Sequence, residues 1–303
     1  MREKATATPR RIAVVGMFDG VHAGHRHLLS QLKEEGQKIG LSPMAITFSN
    51  HPLELIAPEK APELLTSPGR KRRLIEELGV ECEMIPFDER LRTTTAAGFL
   101  RTLREHYGVE ALVMGFNNRF GHAAPRDFNE YRRLGEICGV NVVPATEYAP
   151  DGRKISSTEI RRLIAEGDVA TAASLLGRPY TIEGIVEEGK QLGRTIGFPT
   201  ANLRPADPRQ LIPKGGVYAT SALGYPAMTN IGSRPTVDTA GTPTIETHII
   251  GMDADLYGKP LAIAFHRRLR DERRFPSIEA LRFQLAADRA AAMEAYKSDT
   301  PPT

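Results

Sequence analysis

The sequence predicts an α/β protein in two parts: an N-terminal domain on a parallel sheet, then a smaller antiparallel β domain with a closing helix. Three observations carry this. Over the first half, short apolar runs, several of them closed by glycine, alternate with amphipathic helical stretches, the pattern of βαβ units. From about Tyr180 the chain turns to short β-rich pieces separated by Gly, Pro and Asn, the pattern of an antiparallel barrel or sandwich. A chain of 303 residues is also long enough to bury two ordinary cores.

Taken in order, residues 11–16 are apolar and end in glycine, as a buried parallel strand should. Leu28, Leu29, Leu32 and Ile39 then recur near helical spacing among Lys and Glu, predicting a helix over 25–39. Strands are expected over 42–48, 83–87, 111–115 and from 141, and helices over 70–78, 96–106 and 128–138. Two further helices, 158–166 and 169–176, precede β pieces at 181–187, 217–222, 227–231, 245–250 and 261–265. Ile278, Leu281, Leu285 and Met293 mark a closing helix over 278–296, with a tail at 297–303 expected to fray. The domain join falls near 176–180, giving domains 1–178 and 179–303.

Hydrophobic residues at 41% and charged residues at 25% describe a soluble globular chain. A net charge of +3 suits anionic small substrates better than a dedicated nucleic-acid surface, so no nucleic-acid partner is expected. The basic run Arg70-Lys71-Arg72-Arg73 reads as a solvated helix face. No apolar run reaches membrane-spanning length, and no signal-peptide pattern opens the chain. Cys82 and Cys138 form neither a disulfide framework nor a zinc set, so a cytoplasmic location is expected. Oligomeric state is not readable.

Two segments carry chemistry. Gly16-Met17-Phe18-Asp19-Gly20-Val21-His22-Ala23-Gly24-His25 runs from a strand into a helix, a turn that directs backbone N–H groups and a helix dipole at an anion. His22 and His25, three apart, face the same side and can donate to a phosphate under attack. Alone, the pair reads as surface histidines ahead of a metal site, since no third ligand follows at a telling spacing. In a parallel sheet ligands lie beyond the carboxyl ends of strands, where 16–25, 48–52 and 115–121 all fall. The second segment is Gly189-Lys190-Gln191-Leu192-Gly193-Arg194-Thr195-Ile196-Gly197, followed by Phe198-Pro199-Thr200-Ala201-Asn202. It lacks the Walker pattern, and by composition it could be only a mobile hairpin.

The first segment resembles the phosphate signature of the His-x-Gly-His nucleotidyltransferase superfamily, and its Gly-x-Phe-Asp-Gly is similar to that of bacterial FAD synthetases. The resemblance extends to Phe48-x-Asn50-His51-Pro52, to Gly115-Phe116-Asn117-Asn118-Arg119-Phe120-Gly121 and to Ile155-Ser156-Ser157-Thr158-Glu159-Ile160-Arg161. Asn50 stands where proline is commoner, and Asn117 where relatives often carry Asp. Gly197-Phe198-Pro199-Thr200-Ala201-Asn202 is similar to the Pro-Thr-Ala-Asn signature of riboflavin kinases, as are Glu246-Thr247-His248 and Arg270-Asp271-Glu272-Arg273-Arg274-Phe275.

The resemblance therefore implies a Rossmann-like nucleotidyltransferase domain, a small β-barrel kinase domain, and bifunctional riboflavin kinase/FMN adenylyltransferase activity. It implies ATP and Mg²⁺ as requirements, with riboflavin, FMN and FAD as substrates or products. His22, His25 and Arg161 would act on the phosphates of ATP in adenylyl transfer, with Gly16, Phe18, Asp19, Asn117, Ser156, Ser157 and Thr158 binding nucleotide. Flavin would lie near Phe48, His51 and Pro52, with Asn50 and Phe120 among the cofactor-binding residues. In the kinase, Glu246 would be the base, Thr200 and Asn202 the Mg²⁺ ligands, Gly189, Gly193 and Arg194 a lid, and Arg270 and Arg274 a flavin-facing loop. The alternatives are a kinase with a weakened adenylyltransferase, or a flavin-binding regulator without turnover.

Overall fold

The computed structural model describes residues 9–115, 119–152, 154–189, 193, 196–233 and 243–299. The chain divides into two compact units, Met1–Pro62 with Pro68–Ile155, and Glu63–Ser67 with Ser156–Thr303.

In the first unit, β1 (Arg11–Val15), β2 (Ser42–Phe48), β3 (Glu81–Ile85), β4 (Val109–Met114) and β5 (Asn141–Pro144) form a parallel sheet in the order β3-β2-β1-β4-β5. β1 is central, so Ile12, Ala13 and Val14 are fully buried, which is why that run is uninterruptedly apolar. Side chains alternate between faces. Ile12 and Val14 pack with Leu29 and Leu32 of α1 (Ala23–Ile39) and Ile75 of α3 (Pro68–Glu76). Ala13 and Val15 pack on the other face with Phe99 and Leu103 of α5 (Ala96–Tyr107) and Tyr131 of α6 (Phe128–Cys138).

Strand order reverses about β1, since β2 lies on one side of it and β4 on the other. Such a reversal opens a crevice beyond the carboxyl ends of the strands. Two short helices absent from the periodicity, α2 (Pro52–Ile56) and α4 (Glu89–Thr93), follow β2 and β3 there. The strand expected over 83–87 is instead Glu81–Ile85. Pro86 has no N–H to continue the ladder, and both main-chain polar groups of Phe87 bond to Asn50.

The second unit has α7 (Ser157–Glu166) and α8 (Val169–Leu176) followed by a closed antiparallel barrel. Its strands are β6 (Tyr180–Glu187), β7 (Ala201–Pro205), β8 (Gly216–Ala222), β9 (Tyr225–Ser233), β10 (Pro243–Ile249) and β11 (Pro260–Arg270), in the order β10-β7-β6-β11-β8-β9. The barrel, not a sandwich, is the architecture. The fully buried hydroxyls of Thr220, Thr229 and Thr247 join in a chain with 2.8 Å links, satisfying one another where water is excluded.

Helix α9 (Ile278–Asp299) closes the unit, burying Ala292 and Ala295 against Ala219 and Met228. It runs past the expected boundary, so the start of the predicted frayed tail is helical. Asp288 of α9 is buried and takes a two-pronged ion pair from Arg270 at 2.8–3.1 Å. The segment 63–67 belongs to this unit through Leu64, whose N–H donates to Arg209 and whose carbonyl accepts from Leu211, both at 2.8 Å.

Candidate active sites

The turn from β1 into α1 is folded tightly by backbone seldom used by side-chain-bearing residues. Phe18 (φ 48°), Gly20 (φ 81°) and Val21 (φ 38°) are all left-handed. For Phe and a β-branched Val this costs on the order of 1–3 kcal/mol each, strain that concentrates at functional sites. Burial of both side chains offsets it. The turn delivers His22 as the N-cap of α1, its Nδ1 accepting the His25 N–H at 3.3 Å, which puts the ring proton of a neutral His22 on Nε2. His25 stacks on His22 with ring centroids 3.7 Å apart and meets the Phe18 ring edge-on at 5.2 Å.

Burial pushes the His25 pKa well below the usual histidine range, and the nearby His22 and Lys71 push the same way. Its Nδ1 is buried and has no hydrogen-bond partner among the described residues. Two imidazoles, helix N–H groups and an orphaned ring nitrogen converge at one place. An incoming phosphate is the group that would satisfy them. Gly16 and buried Asp19 belong to the same turn.

Beyond β1 and β2 lies a cavity of about 420 Å³ with Phe48, Phe87, Phe99 and Phe120 in its wall and Arg92 and Arg119 beside them. Phe48 meets Phe87 edge-on at 5.7 Å, and Phe99 meets Phe120 at 5.3 Å. Gly121 (φ +92°) lets this loop press on α5, since a Cβ there would stand 2.3 Å from the Ala96 nitrogen. Asn50 bonds the Phe87 main chain in both directions, at 2.8 and 3.0 Å. His51 caps α2: its Nδ1 accepts from the Leu53 N–H, and Glu54 returns a bond to its own N–H. Neither Asn50 nor His51 lines the cavity; they brace its wall from behind, through Phe87 and the start of α2. Asn117 lies outside the described residues.

In the second unit Ser156 caps α7, its Oγ accepting the Glu159 N–H at 3.3 Å, with Ser157 and Thr158 opening the helix. Arg161, one turn in, donates from Nε to the Glu63 carbonyl at 2.7 Å.

On the barrel, Glu246 stands opposite Asn202 of β7 and Asn230 of β9. Directly opposed residues share a face, so the three form a polar row on the side away from the threonine chain. That row borders a cavity of about 320 Å³ shared with His248, Arg273 and Phe275. A narrower cleft of about 70 Å³ lies alongside, with Asp253, Asp255 and Tyr257 in its wall. Thr200 lines both. One hydroxyl thus sits where a donor in the cleft would meet an acceptor in the cavity.

Gly189 and Gly193 permit close approach: a Cβ would stand 2.0 Å from Asn202 Nδ2 at the first and 2.2 Å from the Phe198 carbonyl at the second. Arg194 lies outside the described residues. Arg270 lines the cavity with its guanidinium engaged by Asp288 and the Asp271 carbonyl. Arg273 and Arg270 flank Phe275 at 4.9 and 5.6 Å, whereas Arg274 is exposed and does not line the cavity.

No cluster of three metal-binding His, Cys, Asp or Glu side chains occurs among the described residues. Thr200 and Asn202, two residues apart, nonetheless carry a hydroxyl and an amide oxygen, hard donors of the kind Mg²⁺ takes. That ion takes few protein ligands and completes its shell with phosphate and water.

The FAD synthetase family matches residues 4–159, and the riboflavin kinase family residues 176–296. The chain is 40% identical over 298 residues to the bifunctional riboflavin kinase/FMN adenylyltransferase of Escherichia coli K12, covering 96% of this chain and 94% of that one. It is 32% identical over 304 residues to the protein of the same name from Bacillus subtilis 168, covering 95% and 93%. This chain belongs to the bifunctional riboflavin kinase/FMN adenylyltransferase family. A crystal structure from Streptococcus pneumoniae, named a macrolide-efflux protein, is 31% identical with a TM-score of 0.83 and covers 96% of this chain and 95% of its own. No helix among the described residues is long and apolar enough to cross a membrane.

Within this family frame, several residues gain a place that sequence reasoning missed. Phe87 and Phe99 complete the aromatic box, Asn230 and Glu272 join the Glu246 row, and Arg273 occupies the position sought for Arg274. Glu272 and Arg273 stood inside a motif already quoted, but the barrel register and the packing of loops bring these residues to their sites. Lys71 departs furthest from its sequence reading: in a run expected to be solvated, it is 4% exposed.

Proposed function

We propose that the two sites act in succession, the barrel phosphorylating riboflavin to FMN and the parallel-sheet domain adenylylating FMN to FAD. One observation supports this most: the histidine pair at the turn into α1 and the Thr200 hydroxyl shared by cleft and cavity on the barrel each stand in a unit that also holds an aromatic-walled cavity large enough for an isoalloxazine ring. As functional domains we retain 1–178 for adenylyl transfer and 179–303 for the kinase.

In the kinase, Glu246 takes the proton of the terminal ribityl hydroxyl as its oxygen attacks the γ-phosphorus and the bond to the bridging oxygen breaks, releasing ADP. Thr200 and Asn202 would hold Mg²⁺, which would supply charge neutralisation at the phosphates. Thr200 also orients donor and acceptor by contacting both. Glycines 189 and 193, with Arg194, serve as the lid, and Arg270 holds the flavin-side loop against α9, with Arg274 at its rim.

In adenylyl transfer, an FMN phosphate oxygen attacks the α-phosphorus of ATP and pyrophosphate leaves, with no covalent enzyme intermediate. His22 and His25 donate to the oxygens that gain charge. Ser156, Ser157, Thr158 and Arg161 take the β- and γ-phosphates, Gly16, Phe18, Asp19 and Asn117 surround the nucleotide, and Phe48 and Phe120 hold the flavin, with Asn50 and His51 shaping its wall. Both cysteines are free thiols, compatible with a reducing cytoplasm.

Incubating the protein with riboflavin, ATP and Mg²⁺ and resolving products by chromatography tests the reading. FMN followed by FAD is expected. FMN without FAD would leave only the kinase, and tight flavin binding with no ATP consumption would leave a regulator.

A further inference from the structure

The run Arg70-Lys71-Arg72-Arg73 opens α3, where Arg72 and Arg73 are exposed and Lys71 is not. The Lys71 ammonium points inward and donates to the carbonyls of Met17, at 3.1 Å, and Phe48, at 2.7 Å. Thr47 Oγ1 donates to the same Met17 carbonyl at 3.0 Å. A buried ammonium is retained only where acceptors replace its water, so these carbonyls account for its position.

They belong to different subsites. Met17 leads into Phe18, the first left-handed residue of the turn that presents His22 and His25. Phe48 is a wall of the aromatic cavity. A four-carbon side chain from a third element therefore bridges the nucleotide turn and the flavin wall.

We propose that Lys71 is a positioning residue for adenylyl transfer, fixing the nucleotide turn and the flavin wall at one separation so that the FMN phosphate meets the α-phosphorus in line. This rests on the adenylyltransferase reading above. It makes Lys71 a residue that acts through Met17 and Phe48 without touching either substrate. Misplacement of reacting groups by roughly 1 Å can lower a rate on the order of 10²-fold, so such a clamp governs turnover more than binding.

The test is Lys71→Met in the full chain, assayed for FAD from supplied FMN and ATP with Mg²⁺. FMN and ATP affinities are measured by equilibrium binding, and riboflavin phosphorylation in the same preparation reports an intact second unit. The expected result is a fall of at least about tenfold in kcat, with both dissociation constants changed less than about threefold and kinase activity retained. Lys71→Arg, which keeps a buried cation with several donors, should recover kcat to within about fivefold of the parent. A Lys71→Met enzyme with kcat within about twofold of the parent, or one that loses affinity alone, overturns the proposal.

If Lys71→Met melts the first unit, Lys71→Arg decides. A folded arginine variant with near-parental kcat sustains the role. One that folds with kcat down about tenfold or more, or that does not fold, overturns it. A parent protein that makes no FAD from FMN would instead refute the functional reading itself.

Discussion

Glu246 and His25 are ordinary side chains made chemical by their neighbours. Glu246 is half-buried beside a cavity, with an amide-bearing side chain on each adjacent strand. Replacing it with Gln keeps shape and removes the proton acceptor. Riboflavin phosphorylation is then expected to fall about 10²–10⁴-fold while FAD formation from supplied FMN is unchanged, as product chromatography would show. Loss of both activities would contradict separate sites.

His25 leads to a pH prediction. Its folded pKa is lowered, first by burial, then by His22 and Lys71, so the folded chain keeps it neutral where the unfolded chain would protonate it near pH 6.5. The stability this contributes is fully present above about pH 6.5 and is lost as pH falls from there toward the folded pKa. The chain has no tryptophan, so far-UV circular dichroism is the suitable probe. Melting between about pH 7.5 and about pH 5 should show a smaller acid-induced loss for His25→Asn than for the parent.

At the scale of elements, two tethers hold the site walls. Asn50 ties the loop after β2 to the loop after β3 by two hydrogen bonds to Phe87. Asn50→Ala should destabilise the first unit by about 1–3 kcal/mol and raise the KM for FMN, with the KM for riboflavin unmoved. In the second unit the Arg270–Asp288 pair fastens β11 to α9 with Asp288 buried. Asp288→Ala leaves a half-buried guanidinium without its carboxylate, so a loss of about 3 kcal/mol is expected in denaturant unfolding. The riboflavin KM should rise as Arg273 and Phe275 loosen. Parental stability in this variant would mean that α9 is held by its alanine contacts alone.

At the scale of the molecule, the two proposed sites fall in separate functional domains, 1–178 and 179–303, so the activities should separate in trans. Glu246→Gln and His22→Ala chains, each unable to complete the sequence alone, should form FAD from riboflavin and ATP when mixed, through FMN released by one and taken up by the other. FMN accumulating without FAD in the mixture would show that the intermediate does not pass between chains.

The strand-helix alternation, the turn carrying His22 and His25, and the Thr200–Asn202 segment were legible in the residues, because helix and strand periods and glycine punctuation are local properties. The parallel sense of the first sheet followed from the same pattern, but its strand order did not. Strand β7 was hidden inside its own motif, and α2 and α4 were too short to show a period. Closure of the barrel depends on β10 pairing with both β7 and β9, a long-range match of backbone hydrogen bonds that no window of sequence contains. The same limit applies to side chains. Composition marked Lys71 as solvent-facing, and the family resemblance placed Arg274 on a flavin-facing loop. Packing buried the first on two carbonyls and left the second exposed. Sequence alone determined which chemical groups this protein carries and on which local elements. Only the tertiary structure decided which of them meet, because burial and cross-strand register arise from contacts between residues far apart in the chain.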